Sequence, residues 1–316
     1  MTETPPLDQP VFIVGPLRSG TTLLRLMLQN HPRMNFFGEF EGAVSQAKED
    51  SFPNINDYHQ FVANDRMMQD SHFEVDSNLN YIELVKTFLK QKYLTKPSEV
   101  IGACVHSRFD LITKVWPNAR FIHITRDPRD VAKSTIPMGW AGNVYGGSKF
   151  WVEPEQRWQK LKQNLNNEAY IEVKYETLIR STEQVLTKIC LFLGQQYNGN
   201  MPNIDKVSTY AKPDANLVEQ WRKKQSAKEV LWVESQCREM MKLLGYEPIN
   251  TTCDQDPSSI SKFILQIDNK VKKIKFSIKR YGYYLWLYKA INNRFSFFKN
   301  EEATNEINEI ERIYLK

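Results

Sequence analysis

A short apolar run that leads directly into a glycine-containing loop is the feature that most constrains the fold. Residues 11–14 (VFIV) precede the loop at residues 15–22 (GPLRSGTT). The apolar residues Leu23, Leu24, Leu26, Met27 and Leu28 follow it, up to an Asn-His-Pro stop. Such a run is typical of a buried strand in a parallel sheet, and the residues after the loop predict a helix. Loop amides and the N-terminus of that helix would point at a bound anion.

Strand-like and helix-like segments alternate along the rest of the body. Further strands are predicted at residues 34–40, 100–105, 120–125 and 170–173, and helices at 81–89, 111–116, 151–165, 182–193 and 227–244. Asp127 and Pro128 fit the N-cap and first position of a helix, and the glycines in residues 137–148 predict a loop. Residues 43–99 are interpreted as a helical insertion over an acceptor pocket. The alternation predicts an α/β fold, a three-layer parallel sheet with helices on both faces, similar to P-loop NTPases.

Charge divides the chain into a body and a tail, which we predict at residues 8–250 and 258–316. The net charge is +5, yet residues 259–299 hold ten Lys or Arg against the single acid Asp268, so the remainder carries about −4. The basic excess therefore belongs to the tail, and the body gains no support as a nucleic-acid binder.

Cysteines, histidines and hydropathy exclude several classes of protein. The four cysteines lack a pairing rhythm and the five histidines lack a zinc-binding spacing, so reduced thiols and no metal are expected. The first ten residues do not resemble a signal peptide, and no run of about 18 apolar residues occurs. A cytoplasmic protein is expected, with peripheral membrane contact as an option.

One departure from the Walker A pattern decides which anion the loop can hold. Walker A needs a lysine directly after its second glycine, and here Thr21 follows Gly20. The cation lies inside the loop instead, at Arg18. A guanidinium fork there can bind a bridging oxygen and a transferring group, which suits one terminal phosphate rather than a triphosphate.

The block PLRSGTTL at residues 16–23 resembles the 5′-phosphosulfate loop of sulfotransferases that use 3′-phosphoadenosine 5′-phosphosulfate (PAPS). Its arginine form is more similar to the carbohydrate and tyrosyl-protein branches than to the cytosolic phenol branch. The resemblance covers roughly residues 10–247. It implies a cofactor site made by Arg18, Ser19, Gly20, Thr21 and Thr22.

A second segment, residues 120–134 (RFIHITRDPRDVAKS), resembles the 3′-phosphate segment of the same family, in which an arginine and a serine eight residues later hold the phosphate. Arg126 and Ser134 have that spacing. Tyr175, in a strand-to-helix segment, matches a tyrosine that contacts the nucleotide; core packing is the alternative role. Both motifs follow predicted strands, and ligands of such sheets bind at the carboxyl ends of strands.

Sulfuryl transfer needs an aligned acceptor, stabilised charge on the leaving group and a base. Arg18 serves the second need. The resemblance places a glutamate after the loop helix, which makes Glu39 the first candidate base and Glu41 the second. His106 stands near the place of a lysine that many relatives have and this chain lacks, and it could replace that lysine either as the base or as a donor to the sulfuryl group. An exposed acid and a buried or capping histidine remain alternatives.

These observations predict an enzyme that moves a sulfuryl group from PAPS to a hydroxyl of a carbohydrate, lipid or small molecule, leaving 3′,5′-bisphosphate (PAP), without a metal. Two alternatives stay open. One is a P-loop kinase with an aberrant loop. The other is a non-catalytic protein of the same fold that binds nucleotide or tethers a membrane.

The tail predicts an amphipathic helix, since isoleucines and a valine recur at spacings of three and four. The repeating positions are Ile260, Ile264, Ile267, Val271, Ile274 and Ile278, extended by Tyr281, Leu285 and Tyr288. The helix could dock on the body, bind an anionic membrane surface, or self-associate against the repulsion of its lysines.

Overall fold

The computed structural model describes residues 6–204, 214–292 and 300–314. Residues 205–213 of the predicted body, and 293–299 and 315–316 of the predicted tail, therefore lie outside the described residues. A five-stranded sheet forms with the order β2-β3-β1-β4-β5, and every neighbouring pair is parallel. The strands are β1 (Val11–Val14), β2 (Met34–Glu39), β3 (Val100–Val105), β4 (Arg120–Thr125) and β5 (Tyr170–Lys174). The predicted parallel α/β sheet is confirmed.

Fourteen helices are found among the described residues. They are α1 (Thr21–Gln29), α2 (Ile55–Asn64), α3 (Arg66–Ser71), α4 (Tyr81–Thr95), α5 (Ile112–Val115), α6 (Pro128–Ser134), α7 (Val144–Gly147), α8 (Lys149–Lys162), α9 (Tyr175–Arg180), α10 (Thr182–Phe192), α11 (Trp221–Lys224), α12 (Ala227–Leu243), α13 (Ser259–Asn292) and α14 (Glu301–Tyr314). The chain forms two compact units, Met1–Arg126 with Glu153–Gln220, and Asp127–Val152 with Trp221–Lys316.

The sheet of the first unit is covered on both faces because side chains of a strand alternate in direction. Phe12 and Val14 of β1 enter one apolar cluster, which contains residues of α4 and the fully buried Trp158. Val11 and Ile13 enter the other, with residues of α1 and α10. All four residues of β1 are buried, as expected for a central parallel strand.

The segment between β2 and β3 is helical, as predicted. It contains α2, α3 and α4. A reciprocal capping box between Asn80 and Glu83 closes the first turn of α4. The hydroxyls of Tyr58 and Tyr81 donate to the carbonyls of Gly42 and Ala43, which ties these helices to the residues that follow β2.

The second unit corrects one prediction. Residues 137–148 were expected to form a loop, but residues 144–147 form the helical turn α7, which Asn143 caps by accepting from the amide of Gly146 at 2.8 Å. The glycines of α7 are required because neighbouring atoms pack closely against them, and they do not indicate a loop. A β-carbon at residue 146 would lie 2.2 Å from Asn269 Oδ1, and one at residue 147 would lie 2.4 Å from the carbonyl oxygen of Ala132.

The predicted tail helix is α13, which contains a non-helical residue, Gly282, with φ 74°. Beyond Gly282, Leu285 is buried against Ala303 and Ile307 of α14, with Tyr281 and Tyr288 alongside. No helix in the described parts of the chain combines the length and the apolar character that a bilayer crossing requires.

Candidate functional site

The loop at residues 15–20 leaves β1 under tight steric constraint. Gly15 has φ 149°, and a β-carbon there would lie 2.1 Å from the carbonyl oxygen of Ile124 in the neighbouring β4. The amide of Ser19 donates to the carbonyl of Pro16 at 3.2 Å, closing a turn. Gly20 then caps α1 with φ 92° and no side-chain hydrogen bond. The first amides of α1 therefore have no side-chain cap, which is compatible with the predicted anion-binding loop.

Two side chains of this loop fit an anion. Arg18 is exposed and has φ 69°, a left-handed conformation that an arginine rarely adopts. Ser19 is fully buried, and its hydroxyl finds no hydrogen-bond partner within the described residues. A buried hydroxyl without a partner costs about 1–3 kcal/mol, which a bound oxyanion would relieve. Thr21 and Thr22 begin α1, the first buried and the second half-buried.

Arg126 follows β4 directly and is held in place by three contacts within the first unit. Its guanidinium lies 4.2 Å from the ring centre of Tyr175. Nη1 donates to the carbonyl of Arg18 at 3.4 Å, and Nη2 donates to the carbonyl of Leu217 at 2.8 Å. The structure therefore brings together the phosphate loop, Arg126 and Tyr175, three features that the sequence predicts separately.

Tyr175 is the first residue of α9 and is 5% exposed. Its ring packs against Gly20, where a β-carbon would lie 2.4 Å from Tyr175 Cδ2. Core packing and ligand contact were the two predicted alternatives for this tyrosine, and the structure gives direct evidence for packing against the loop.

A buried polar cluster lies beneath the end of β4, and no sequence signal indicated it. Thr125 donates to Glu155 Oε1 at 2.5 Å, and His123 Nε2 lies 3.0 Å from Glu155 Oε2. The ring of His123 stacks on Trp158 with centres 4.5 Å apart. Glu155 is fully buried and lies 30 residues from Thr125, so only the folded chain reveals the pair.

The candidate bases occupy different environments. Glu39 is exposed at the end of β2. Glu41 accepts a hydrogen bond from the amide of His106 at 2.5 Å through Oε1, while its Oε2 is buried and has no partner among the described residues. Burial raises the pKa of the Glu41 carboxyl more than the nearby His106 lowers it, and Glu39 adds to the rise.

His106 connects this region to the phosphate loop. It is 5% exposed, and its Nδ1 lies 3.3 Å from the carbonyl oxygen of Gly15. A carbonyl can only accept, so Nδ1 carries the proton in this contact. In the neutral ring, Nε2 then carries the lone pair and can accept a proton.

Ser134 lies in the second unit, at the end of α6, and its hydroxyl donates to the carbonyl of Val131 at 2.9 Å. Asp127 caps α6 by accepting from the amide of Arg129, with Pro128 at the first position, as the sequence predicts. Within the described residues, no group of three or more His, Cys, Asp or Glu side chains could hold a metal ion.

A family model described as the sulfotransferase family matches residues 10–199, which is more than half of the chain. The chain belongs to the sulfotransferase family. The matched residues include both sequence motifs, the three candidate bases and Tyr175, and they exclude the whole tail.

Individual relatives of this sulfotransferase are distant. A putative protein-tyrosine sulfotransferase of Caenorhabditis briggsae is 29% identical over 204 residues, which are 61% of this chain and 68% of the relative. The sulfotransferase domain from the curacin biosynthetic pathway superposes with a TM-score of 0.56 at 17% identity, covering 78% of this chain and 99% of that domain.

The sulfotransferase domain of the Synechococcus PCC 7002 olefin synthase superposes with a TM-score of 0.50 at 21% identity, covering 72% of this chain and 95% of that domain. At these identities the two structures support the fold alone. They agree with the predicted sheet and P-loop-like architecture of this sulfotransferase.

Proposed function

We propose that the chain transfers a sulfuryl group from PAPS to a hydroxyl of an acceptor. The observation that carries the proposal is the loop at residues 15–20, where Arg18 is exposed, the Ser19 hydroxyl is buried without a partner in the described residues, and the amides of α1 begin at Gly20. The loop has one cation of its own and no Walker lysine. This donor set suits a phosphosulfate end better than a triphosphate.

Arg126 is proposed to bind the 3′-phosphate that distinguishes PAPS from ATP. Its guanidinium already lies over Tyr175 and against the loop carbonyl of Arg18, so its position requires little further ordering when a ligand arrives. Ser134 remains a predicted ligand of the same phosphate on its sequence spacing alone.

His106 is proposed as the group that accepts the proton of the acceptor hydroxyl. Its ring is anchored at the loop through Gly15, which leaves the lone pair on Nε2, and Glu41 holds its backbone amide. Glu41 is then a positioning residue, because one oxygen is engaged and the other is buried. Glu39 is exposed and becomes the second candidate base.

The remaining chemistry is stabilisation of charge. As the acceptor oxygen attacks sulfur in line with the leaving phosphate, negative charge grows on the bridging oxygen. Arg18 and the loop amides can stabilise that charge without reorganising. The acceptor is proposed to be a carbohydrate, lipid or small molecule; a tyrosine-containing peptide joins the candidates because of the C. briggsae relative.

Calorimetry with PAP, AMP and ATP tests the donor. Binding of PAP without binding of ATP supports the proposal, and the reverse result identifies a P-loop kinase instead. Labelled-sulfate transfer from PAPS to a panel of sugars, lipids, alcohols and tyrosine peptides then tests catalysis, with Arg18→Ala as the control. Binding of PAP with no transfer to any acceptor would favour the non-catalytic alternative.

A further inference from the structure

The first half of α13 presents its apolar residues to solvent. Six side chains are between 43% and 74% exposed, and each lies three or four residues from another of the set. We call them the outward stripe: Ile260, Phe263, Ile264, Ile267, Val271 and Ile274. A contiguous exposed row of large apolar side chains is unusual for a soluble surface and marks a binding face.

The opposite side of α13 is the one that packs within its own unit. Leu265 is 7% exposed, and its carbonyl accepts from Asn143 at 2.9 Å. Asn269 Oδ1 accepts from the amide of Gly142 at 2.7 Å. The helix is therefore docked through a mostly polar face, and this contact does not use the outward stripe.

Lysines determine which partner fits the stripe. Residues 259–279 contain six lysines and one acid, and that acid, Asp268, already bonds Lys272 and Asn143 at 2.8 Å each. Lys270, Lys275 and Lys279 are exposed near the stripe. A second copy of the helix would bring like charges together, whereas an anionic surface complements them.

A cavity beside the stripe adds to the positive charge. Its volume is about 510 Å³, and it shares Ile274 with the stripe. Trp140, Phe276 and Trp286 line it together with Lys273 and Arg280. Indole rings and cations next to an apolar face are the groups that peripheral proteins place at the level of lipid headgroups.

We propose that α13 binds the surface of an anionic phospholipid bilayer, with the outward stripe entering the acyl boundary and the surrounding cations facing the headgroup phosphates. The proposal is independent of the donor and the acceptor of the catalysed reaction. It selects one of the three roles that the sequence leaves open for the tail, and it concerns only the described residues 259–292.

The test is co-sedimentation of the full chain with vesicles of phosphatidylcholine containing 30 mol% phosphatidylglycerol, and with pure phosphatidylcholine vesicles. Wild-type protein should bind the anionic vesicles more tightly. Ile264→Gln, Ile267→Gln and Val271→Gln combined should weaken binding by about 100-fold or more, because three apolar side chains no longer enter the bilayer. The control combines Leu191→Gln, Leu243→Gln and Ile249→Gln, which are apolar positions outside α13 and are more exposed than the three test positions.

A second pair of variants tests the charge. Lys270→Gln, Lys275→Gln and Lys279→Gln combined should weaken binding about 100-fold, at about 1 kcal/mol per lysine. Lys114→Gln, Lys160→Gln and Lys188→Gln change the net charge equally at exposed positions outside α13 and should not. The proposal is overturned if wild-type protein ignores anionic vesicles, if test and control variants bind alike, or if sedimentation velocity shows a dimer that the stripe variant dissociates.

Discussion

The ring of Tyr175 lies where a side chain at residue 20 would begin: a β-carbon built on Gly20 would be 2.4 Å from Tyr175 Cδ2. Gly20 also has φ 92°, which side chains disfavour. Both constraints act at the residue that caps α1, the helix predicted to bind an anion. The Arg126 guanidinium lies on the same tyrosine ring, 4.2 Å from its centre, so one aromatic side chain contacts both predicted phosphate sites.

Gly20→Ala should therefore destabilise the fold and weaken PAP binding. We expect a loss of about 2–3 kcal/mol in the free energy of unfolding, from backbone strain together with displacement of a buried ring. Urea denaturation of alanine variants at two other glycines distinguishes backbone strain from displacement of the ring. Gly194 has φ 71° with open space around it, and Gly199 has open space without the unusual φ. Gly194→Ala should cost about 1 kcal/mol and Gly199→Ala almost nothing; equal losses in all three variants would contradict this account.

Two substitutions of Arg18 should differ in stability while both weaken ligand binding. Its φ of 69° costs a residue with a side chain about 1–2 kcal/mol relative to glycine. Arg18→Gly is therefore expected to be more stable than Arg18→Ala by about 1 kcal/mol, although both variants lose the loop cation and bind PAP more weakly. Thermal unfolding and calorimetry on the two variants check this, and equal stability would mean that the loop relaxes when the arginine is removed.

Arg18 and Arg126 should bind different phosphates of the nucleotide, Arg18 the 5′-phosphate and Arg126 the 3′-phosphate. Arg126→Lys removes the planar fork that stacks on Tyr175, and should weaken PAP binding about 10- to 100-fold while changing AMP binding little. Arg18→Lys should weaken both ligands, since both carry a 5′-phosphate. Arg33→Lys is the control, because Arg33 is 64% exposed and pairs with Glu99 at the surface. A loss of AMP binding in Arg126→Lys would contradict the assignment.

Glu41 should make stability depend on pH. Burial raises its pKa in the folded state, so above the usual glutamate range the folded chain holds a proton that the unfolded chain has lost. Stability from this group is thus greatest at low pH and falls as pH rises towards the folded-state pKa. Glu41→Gln should flatten that decline in urea titrations that begin at the usual glutamate pKa and extend to higher pH. Glu49→Gln, at an exposed carboxyl, should leave the slope unchanged.

Variants of Glu41 and His106 distinguish a residue that positions His106 from the residue that accepts the proton. His106→Gln should lower kcat about 10²- to 10⁴-fold if Nε2 takes the acceptor proton. Glu41→Gln keeps an oxygen that can accept from the His106 amide, so its kcat should fall less, and Glu41→Ala should fall further. Glu39→Gln should have little effect. A larger loss in Glu39→Gln than in His106→Gln would return the role to the carboxylate that the sequence favours first.

The sheet and the turn from β1 into α1 could be predicted because their signals are local. β1, Gly15 and Gly20 lie within ten residues of one another, and the helix cap at Asp127 and Pro128 is a contiguous pattern. The helical turn α7 was missed because glycines disfavour helices in isolation. Here Gly146 and Gly147 are needed for contact with Asn269 and Ala132, and that requirement is invisible in a local window.

The hydrogen bonds and burial of the candidate site residues could not be predicted, because they arise from contacts between segments that are distant in the sequence. Arg126 donates to the carbonyl of Leu217, 91 residues away, and Thr125 donates to Glu155 across 30 residues. Glu39 and Glu41 differ by two positions in sequence, yet one is exposed and the other holds a buried oxygen. The family resemblance makes both carboxylates candidates, and only burial in the folded chain separates their environments.

The close approach of Gly15 to β4 has a consequence for selectivity. Because a β-carbon at residue 15 would meet the carbonyl of Ile124, packed backbone fixes the separation of the two strand ends. The loop begins at one strand end and Arg126 lies just beyond the other. If the loop and Arg126 bind the two phosphates as proposed, groups held apart in this way discriminate ligands by the distance between their charged ends. A nucleotide with its second phosphate on another ribose oxygen would then be rejected by its dimensions, in addition to the charge that the loop can hold.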